Sequence, residues 1–422
     1  MAARENPPES ELIYDWNRAD HQARPRFSPV ELDDESLRDG LQSPSVKNPP
    51  IGKKLEILHL MDSLGIDVAD VGLPGAGPPV VADVSRLVQE IVQSRMRIRP
   101  TCAARTVASD IRPIIEISQK YGISIEVHAF IGSSPIRQYA EDWDMDRILR
   151  LTEDAVRLSV GEGLPIMYVT EDTTRSHPDD LSKLFAAAIR SGASRLCVCD
   201  TVGHATPDGV RALVSWVRNL VDELEPCVKV DWHGHQDRGL GVINSLTALE
   251  AGAHRVHGTG LGIGERVGNT PMDQLLVNLQ LEGWIDRDLT RMTEYCQSVA
   301  EATGVPLTDN YPVVGKDAFR TGTGVHAAAI IKARHKGDEW LADRVYSGVP
   351  ASMVGRHQKI EVGPMSGESN VVYWLTERRI EATSELVASI FQSAKTSDRM
   401  LTDDEILEIC KEKSRSRAVE VS

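Results

Sequence analysis

Two histidines separated by a single glycine carry the clearest chemistry in this chain. His233-Gly234-His235 lies in the run Val228-Lys-Val-Asp-Trp-His-Gly-His-Gln-Asp237, whose residues 228–235 read as a buried strand ending at two imidazoles. Side chains two apart on a strand point to the same face. His233 and His235 can therefore converge on one metal ion, with Gly234 leaving room on the other face. Two further segments bear on that reading. Leu32-Asp-Asp-Glu-Ser-Leu-Arg38-Asp39-Gly40-Leu41-Gln42 sets a guanidinium beside a carboxylate near the start of the fold. Gly258-Thr-Gly-Leu-Gly-Ile-Gly-Glu-Arg-Val-Gly268-Asn269 is a glycine-rich segment of the kind that lets an anion approach the backbone closely ahead of a helix. Glycine also serves tight turns, and Glu265-Arg266 reads equally as a structural ion pair.

The elements that must position these residues show as strand-like runs alternating with amphipathic helical runs. Strands are expected near Val30–Asp34, Asp67–Gly72, Arg97–Cys102, Ser124–Ile131, Pro165–Thr170, Arg195–Asp200, Val228–His233 and Ala253–Thr259. Their starts are separated by roughly 25 to 41 residues, which suits a strand, a helix and two loops. Eight such units in series argue for an α/β (β/α)8 barrel rather than an open sheet. Ser176 is expected to cap the helix that follows the fifth strand, and Thr206-Pro207-Asp208 to open the one after the sixth. Barrels of this kind place their active site at the carboxyl ends of the strands. Asp39 lies beyond the first strand, Glu171 ends the fifth, Thr201 the sixth, and His233 and His235 the seventh, so all fall at one mouth.

Composition narrows the function classes. The chain has 422 residues and a net charge of −15, long enough for one large barrel and a smaller appendage. Its one basic cluster is the ragged tail Lys411-Glu-Lys-Ser-Arg-Ser-Arg417, read as a solvated terminus. Nucleic acid and anionic membrane are thus not expected partners. No apolar run approaches the roughly 20 residues that span a bilayer, and the start lacks a hydrophobic signal core, so the cytoplasm is expected. Of the six cysteines, Cys197 and Cys199 share one face of an apolar strand. They read as buried, reduced small hydrophobes rather than metal ligands.

The three motifs together resemble the metal-dependent aldol/Claisen family that includes 2-isopropylmalate, homocitrate and citramalate synthases and 3-hydroxy-3-methylglutaryl-CoA lyase. That family shows Asp-Thr-Thr-Leu-Arg-Asp-Gly-Glu-Gln, then His-x-His-Asn-Asp, then Gly-Glu-Arg-x-Gly-Asn. This chain keeps Leu37-Arg38-Asp39-Gly40 and Gln42, and departs with Glu35, Ser36, Leu41 and Gln236. The resemblance runs from about residue 30 to beyond 370. It implies a TIM barrel over residues 30–284, after a lead-in over 1–29. Smaller, mainly α connecting subdomains are expected over 285–422, with a helix from about Asp286 to Thr303 and two helical segments at the end. No separate feedback-regulatory domain is expected.

The resemblance also implies roles. Asn269 joins Asp39, His233 and His235 around a divalent metal (Mn, Zn, Mg or Co), on which an α-keto acid chelates and has its carbonyl polarised. Arg38 stabilises the enolate formed from acetyl-CoA. His326, Glu171 and Tyr346 are implicated in the proton transfer. Gln42, His128 and Thr201 match keto-acid contacts, and Gly262 and Gly264 lie in the expected acetyl-CoA loop. The connecting region of the family crosses to a second subunit, which implies a homodimer with exchanged C-terminal segments.

Three function classes stay open: a synthase joining acetyl-CoA to an α-keto acid, a 3-hydroxyacyl-CoA lyase running related chemistry in reverse, and a non-catalytic binding barrel. Lyases carry a catalytic Cys in the loop after the eighth strand, and no Cys occurs here between Cys227 and Cys296. Among keto acids, homocitrate synthases place an Arg where this chain has Met167. An apolar wall there suits 2-ketoisovalerate, the substrate of the first committed step of leucine biosynthesis. Arg137 points the other way, toward a distal carboxylate; citramalate and homocitrate synthases stand behind as alternatives.

Overall fold

The computed structural model describes residues 9–18 and 24–420. They form two compact units, one spanning Asp15–Leu307 and the other Thr308–Ser422 together with the N-terminal segment that ends at Tyr14. The first unit is a closed barrel of eight parallel strands in sequential order. They are β1 (Glu31–Asp34), β2 (Val68–Asp70), β3 (Arg99–Arg105), β4 (Glu126–Gly132), β5 (Ile166–Glu171), β6 (Arg195–Asp200), β7 (Lys229–Gly234) and β8 (Arg255–Gly258). Each expected strand is present, and pairing of β1 with β8 closes the ring.

Helices with an apolar stripe cover the outside, as in Met145–Gly161 and Pro207–Leu224. Thr206 caps the latter, its side chain accepting from the Gly209 N–H, with Pro207 in the first turn. The cap of Pro178–Ser191 is His177 rather than Ser176: His177 Nδ1 accepts from the Asp179 N–H. Ser176 instead bonds Ser133 and the Asp172 carbonyl, tying the β4 and β5 loops together.

The barrel interior is not uniformly apolar. At its amino-terminal end, Arg195 and Arg255 bridge Asp231, Glu31 and Glu126. Burying charges costs several kcal/mol per ion unless they are paired, and here Arg195 meets two carboxylates and Arg255 three, Asp33 being the third. This network plugs the base, and the opposite end of the barrel stays open.

Helix Met292–Thr303 begins later than the expected Asp286 and belongs to the barrel unit. In the second unit a short parallel pair, Arg320–Thr321 with Lys359–Ile360, accompanies helices Gly324–His335 and Glu339–Arg344. Three helices close the chain where two were expected: Glu368–Glu377, Ser384–Thr396 and Asp403–Glu420. They bury Val371, Trp374, Leu375, Ile390 and Ile406 in a core of their own. Among the described residues, no helix is long and apolar enough to cross a membrane.

Candidate active site

β7 delivers both histidines to the open end of the barrel. His233 Nε2 and His235 Nε2 lie 3.2 Å apart, and Asp39 Oδ2 stands 4.0 and 3.9 Å from them. The other ring nitrogens settle the tautomers. His235 Nδ1 faces the Gly268 carbonyl at 3.2 Å, and His233 Nδ1 faces Glu35 Oε2 at 3.1 Å. Neither oxygen can donate, so both Nδ1 atoms carry hydrogen and both Nε2 lone pairs point into one space beside a carboxylate. That is an arrangement a cation satisfies and a neutral pair of imidazoles does not.

Burial opposes a charge on His233, but Glu35 outweighs it and lifts its pKa to about 9. Burial and the neighbouring His233 charge push His235 down to about 4. Burial acts to raise the Asp39 pKa, yet Arg38 and His233 hold it below the usual carboxylate range. The donor set of one carboxylate and two neutral imidazoles fits a divalent cation of the Mn, Zn, Mg or Co group.

Asn269 reaches this cluster differently from expectation. Its Nδ2 donates to Asp39 Oδ2 at 2.7 Å and to the Ile263 carbonyl at 3.1 Å, so it steadies Asp39 rather than presenting an oxygen. Its Oδ1 is buried without a hydrogen-bond partner. The glycines of the same loop have a packing reason. Gly264 has φ +150, and a Cβ there would stand 2.2 Å from Asn269 Nδ2. Gly262, at φ +66, accepts from the Asn269 N–H through its carbonyl.

Arg38 is gripped by three carboxylates: Nε by Asp70 at 2.7 Å, Nη1 by Asp39 at 2.7 Å and Nη2 by Glu35 at 2.9 Å. Each terminal nitrogen keeps one further N–H for a ligand. Burial and the surrounding carboxylates Glu35 and Asp33 lift Asp70 to about 6, against the pull of Arg38 and His128. Glu35 Oε1 also takes His257 Nδ1 at 2.8 Å, and Asp231 binds the other ring nitrogen at 3.3 Å. Burial disfavours charge on His257, but these two carboxylates lift its pKa to about 10.

A cavity of about 350 Å³ opens at this cluster. Arg38, Asp39, Gln42, His128, Met167, Glu171, Thr201, His233 and His235 all line it. Thr201 Oγ1 accepts from the Asp172 N–H at 2.8 Å, and His128 bonds Glu126 at 3.0 Å. Burial raises the Glu171 pKa, with Arg137 opposing. Arg137 is not among the residues lining the cavity. It pairs with Glu141 at 3.2 Å and approaches Glu171 at 3.9 Å. Arg266 lines the rim, but its partners are Asp237 and the Thr201 carbonyl, not Glu265.

His326 and Tyr346 lie in the second unit. His326 sits in the first turn of helix Gly324–His335, and its exposed ring stacks on Tyr346 with centroids 4.1 Å apart. The sequence reading missed Asp70, His257, Phe130, which lines the cavity, and the structural part of Glu35. Asp70 and His257 were detectable as charged residues inside strands, Val-Ala-Asp70 and Arg-Val-His257.

A parallel barrel whose mouth gathers this donor cluster beside a gripped arginine is the architecture of an enzyme. The comparisons then define the family. The HMGL-like family model matches residues 29–299, and the chain belongs to that family as one of its enzymes. The homocitrate synthase AksA of Methanopyrus kandleri is 31% identical over 391 residues, covering 91% of this chain and 92% of that protein. The 2-isopropylmalate synthase of Lactococcus lactis subsp. cremoris is 29% identical over 375 residues, covering 87% of this chain and 70% of the relative. Among solved structures, a Bacillus subtilis HMG-CoA lyase superposes with a TM-score of 0.56 at 18% identity, covering 67% of this chain and 96% of the lyase. That likeness supports the barrel fold alone.

Proposed function

We propose that this enzyme joins acetyl-CoA to 2-ketoisovalerate and hydrolyses the thioester, the reaction of a 2-isopropylmalate synthase. The observation that carries the choice of keto acid is the cavity wall. Met167 and Val169 line it, while Arg137 is engaged with Glu141 and Glu171. A second substrate carboxylate at that wall would lose its water without gaining a partner. Homocitrate synthase chemistry is the runner-up, favoured by the near end-to-end match to the Methanopyrus relative. The lyase reading loses support because residues 228–295, which include the loop after β8, hold no cysteine.

A divalent ion held by Asp39, His233 and His235 would chelate the keto acid and draw electron density from its carbonyl. The chain does the rest. A base takes a proton from the acetyl methyl group, and the free N–H groups of Arg38 face the oxygen where charge develops. The enolate carbon bonds to the keto carbon, whose oxygen is then protonated, and water cleaves the thioester to release CoA. Glu171, at the mouth and with its pKa raised by burial, is the base candidate within this barrel. His326 and Tyr346 of a second subunit would complete the proton path in a two-fold dimer.

The test is CoA release over a panel of keto acids. We expect 2-ketoisovalerate to give the highest kcat/KM, and a preference for 2-oxoglutarate would overturn the assignment. His233→Ala and His235→Ala should each abolish turnover and divalent-metal binding. Full activity after exhaustive chelation would remove the metal from the reading.

A further inference from the structure

Arginines taken out of water in the barrel unit have carboxylates beside them. Arg38, Arg195 and Arg255 meet two or three apiece, and Arg218 meets Asp222 at 2.8 Å. The second unit breaks that pattern. A hollow of about 420 Å³ there is lined by residues between Arg334 and Gln358, among them Trp340, Arg344, Arg356 and His357. Arg334, Arg344 and Arg356 are all half-buried. Among the described residues, the nearest carboxylate oxygen to any of the three is Glu339 Oε2, 3.9 Å from Arg334 Nε and on a side chain 78% exposed.

Neutral groups place each guanidinium instead. Arg334 donates through Nη1 to the Tyr373 hydroxyl and through Nη2 to the Gln358 carbonyl at 2.9 Å, while its Nε is buried without a hydrogen-bond partner. Arg356 Nη1 donates to the Val313 carbonyl at 3.2 Å and the Gly315 carbonyl at 2.7 Å. With no carboxylate against it, burial pulls the Arg356 pKa below its ordinary value. Arg344 lies over the Trp340 ring, 4.8 Å from its centroid, and among the described residues gives none of its five N–H groups to an acceptor. The second carboxylate at the hollow, Asp343, is engaged by the Ala351 and Ser352 N–H groups and the Ser352 hydroxyl. Carbonyls and rings orient a guanidinium without cancelling its charge, and a cation removed from water costs free energy until an opposite charge faces it. The missing partner is therefore an anion. Guanidinium forks match carboxylate and phosphate oxygens, and three of them around one space suit the three oxygens and double charge of a phosphate monoester. The hollow is also of small-molecule size, within the range of about 300–1,000 Å³, and so leaves room beside Trp340 for an organic body.

We propose that this hollow of the second unit is a binding site for a small phosphorylated molecule, its phosphate group held by Arg334, Arg344 and Arg356. No residue of the hollow lines the barrel cavity, so the site is separate from the condensation chemistry. Its role is binding, and no bond is made or broken there. Free orthophosphate and a nucleoside monophosphate share the chemistry that the three arginines recognise.

The experiment is calorimetric titration of the metal-loaded protein with inorganic phosphate, AMP and adenosine, with 2-ketoisovalerate present to cover the barrel mouth. It compares the parent with Arg344→Ala and Arg344→Lys. Arg344 touches the Trp340 ring and holds no hydrogen bond of the fold, so its replacement leaves the unit's framework in place. Loss of charge-assisted hydrogen bonds weakens a contact about tenfold or more. Phosphate and AMP should therefore bind Arg344→Ala at least about tenfold more weakly than the parent, and Arg344→Lys should recover part of the loss. Equal affinities for the two anions would name orthophosphate as the occupant, and tighter binding of AMP would name a nucleotide. Three results would each overturn the proposal: no binding of either anion to the parent, affinities unchanged in Arg344→Ala, or adenosine bound as tightly as AMP. A fourth is displacement by CoA of the AMP binding that depends on Arg344, because the hollow would then belong to the acetyl-CoA site.

Discussion

Arg38 owes its usefulness to being fixed before any ligand arrives. Three carboxylates from two places in the chain, Glu35 and Asp39 after β1 and Asp70 at the end of β2, orient the guanidinium plane. Lysine would keep the charge but offer a single point in place of a planar fork. Arg38→Lys should therefore lower kcat about a hundredfold or more, with a melting curve close to the parent's. An unchanged rate constant would exclude Arg38 from enolate stabilisation. Glu35 is the less obvious half of the device, since it holds Arg38, His233 and His257 at once. Loss of the carboxylate that orients a metal-bound histidine weakens metal binding about 10–100-fold. We expect Glu35→Gln to fall in that range when titrated with Zn or Mn against a chromophoric chelator. Parental affinity in a folded variant would limit Glu35 to a structural role. Arg38, Asp39, His233 and His235 were legible in the sequence because their types and spacing are chemical by themselves. Glu35 read only as a departure from the family pattern, because its partners His233 and His257 arrive from β7 and β8 once the barrel closes.

Elements convert this chemistry into fixed distances. Parallel strands set their interior residues two apart, so β5 presents Met167, Val169 and Glu171 to the cavity, and β6 presents Cys197 and Cys199. The strands were readable because most are short apolar runs bounded by turn residues, and their recurrence points to one topology. Helix ends were harder. Glu368–Glu377 stops near Arg379, a non-glycine residue at φ +56, so no Gly or Pro marks the break and three closing helices read as two. The loop after β8 carries its reason in its glycines. At Gly264 the backbone is in a region reserved for glycine, and an added Cβ would strike Asn269, which steadies Asp39. Gly264→Ala should cost about 1–3 kcal/mol of stability and weaken metal binding as Asn269 shifts. Calorimetry together with a metal titration checks both, and parental values in the two would show that the loop tolerates the extra carbon.

At the scale of the molecule the open question is whether one chain makes a complete site. The donor cluster, Arg38 and Glu171 all belong to the barrel unit, whereas His326 and Tyr346 stack on each other in the other unit. We expect the working unit to be a two-fold dimer in which His326 of one subunit completes the mouth of its partner. Two inactive variants, His233→Ala and His326→Ala, are mixed under conditions that let subunits exchange. In a heterodimer with crossed sites, one site carries both lesions and the other carries none. Random pairing makes half of the dimers mixed, so roughly a quarter of parental activity should return. If His326 serves its own barrel, every site in every dimer keeps one lesion and nothing returns. Exchange confirmed by mass-tagged subunits, without recovery, would therefore rule out the crossed arrangement and leave the metal chemistry of the barrel untouched.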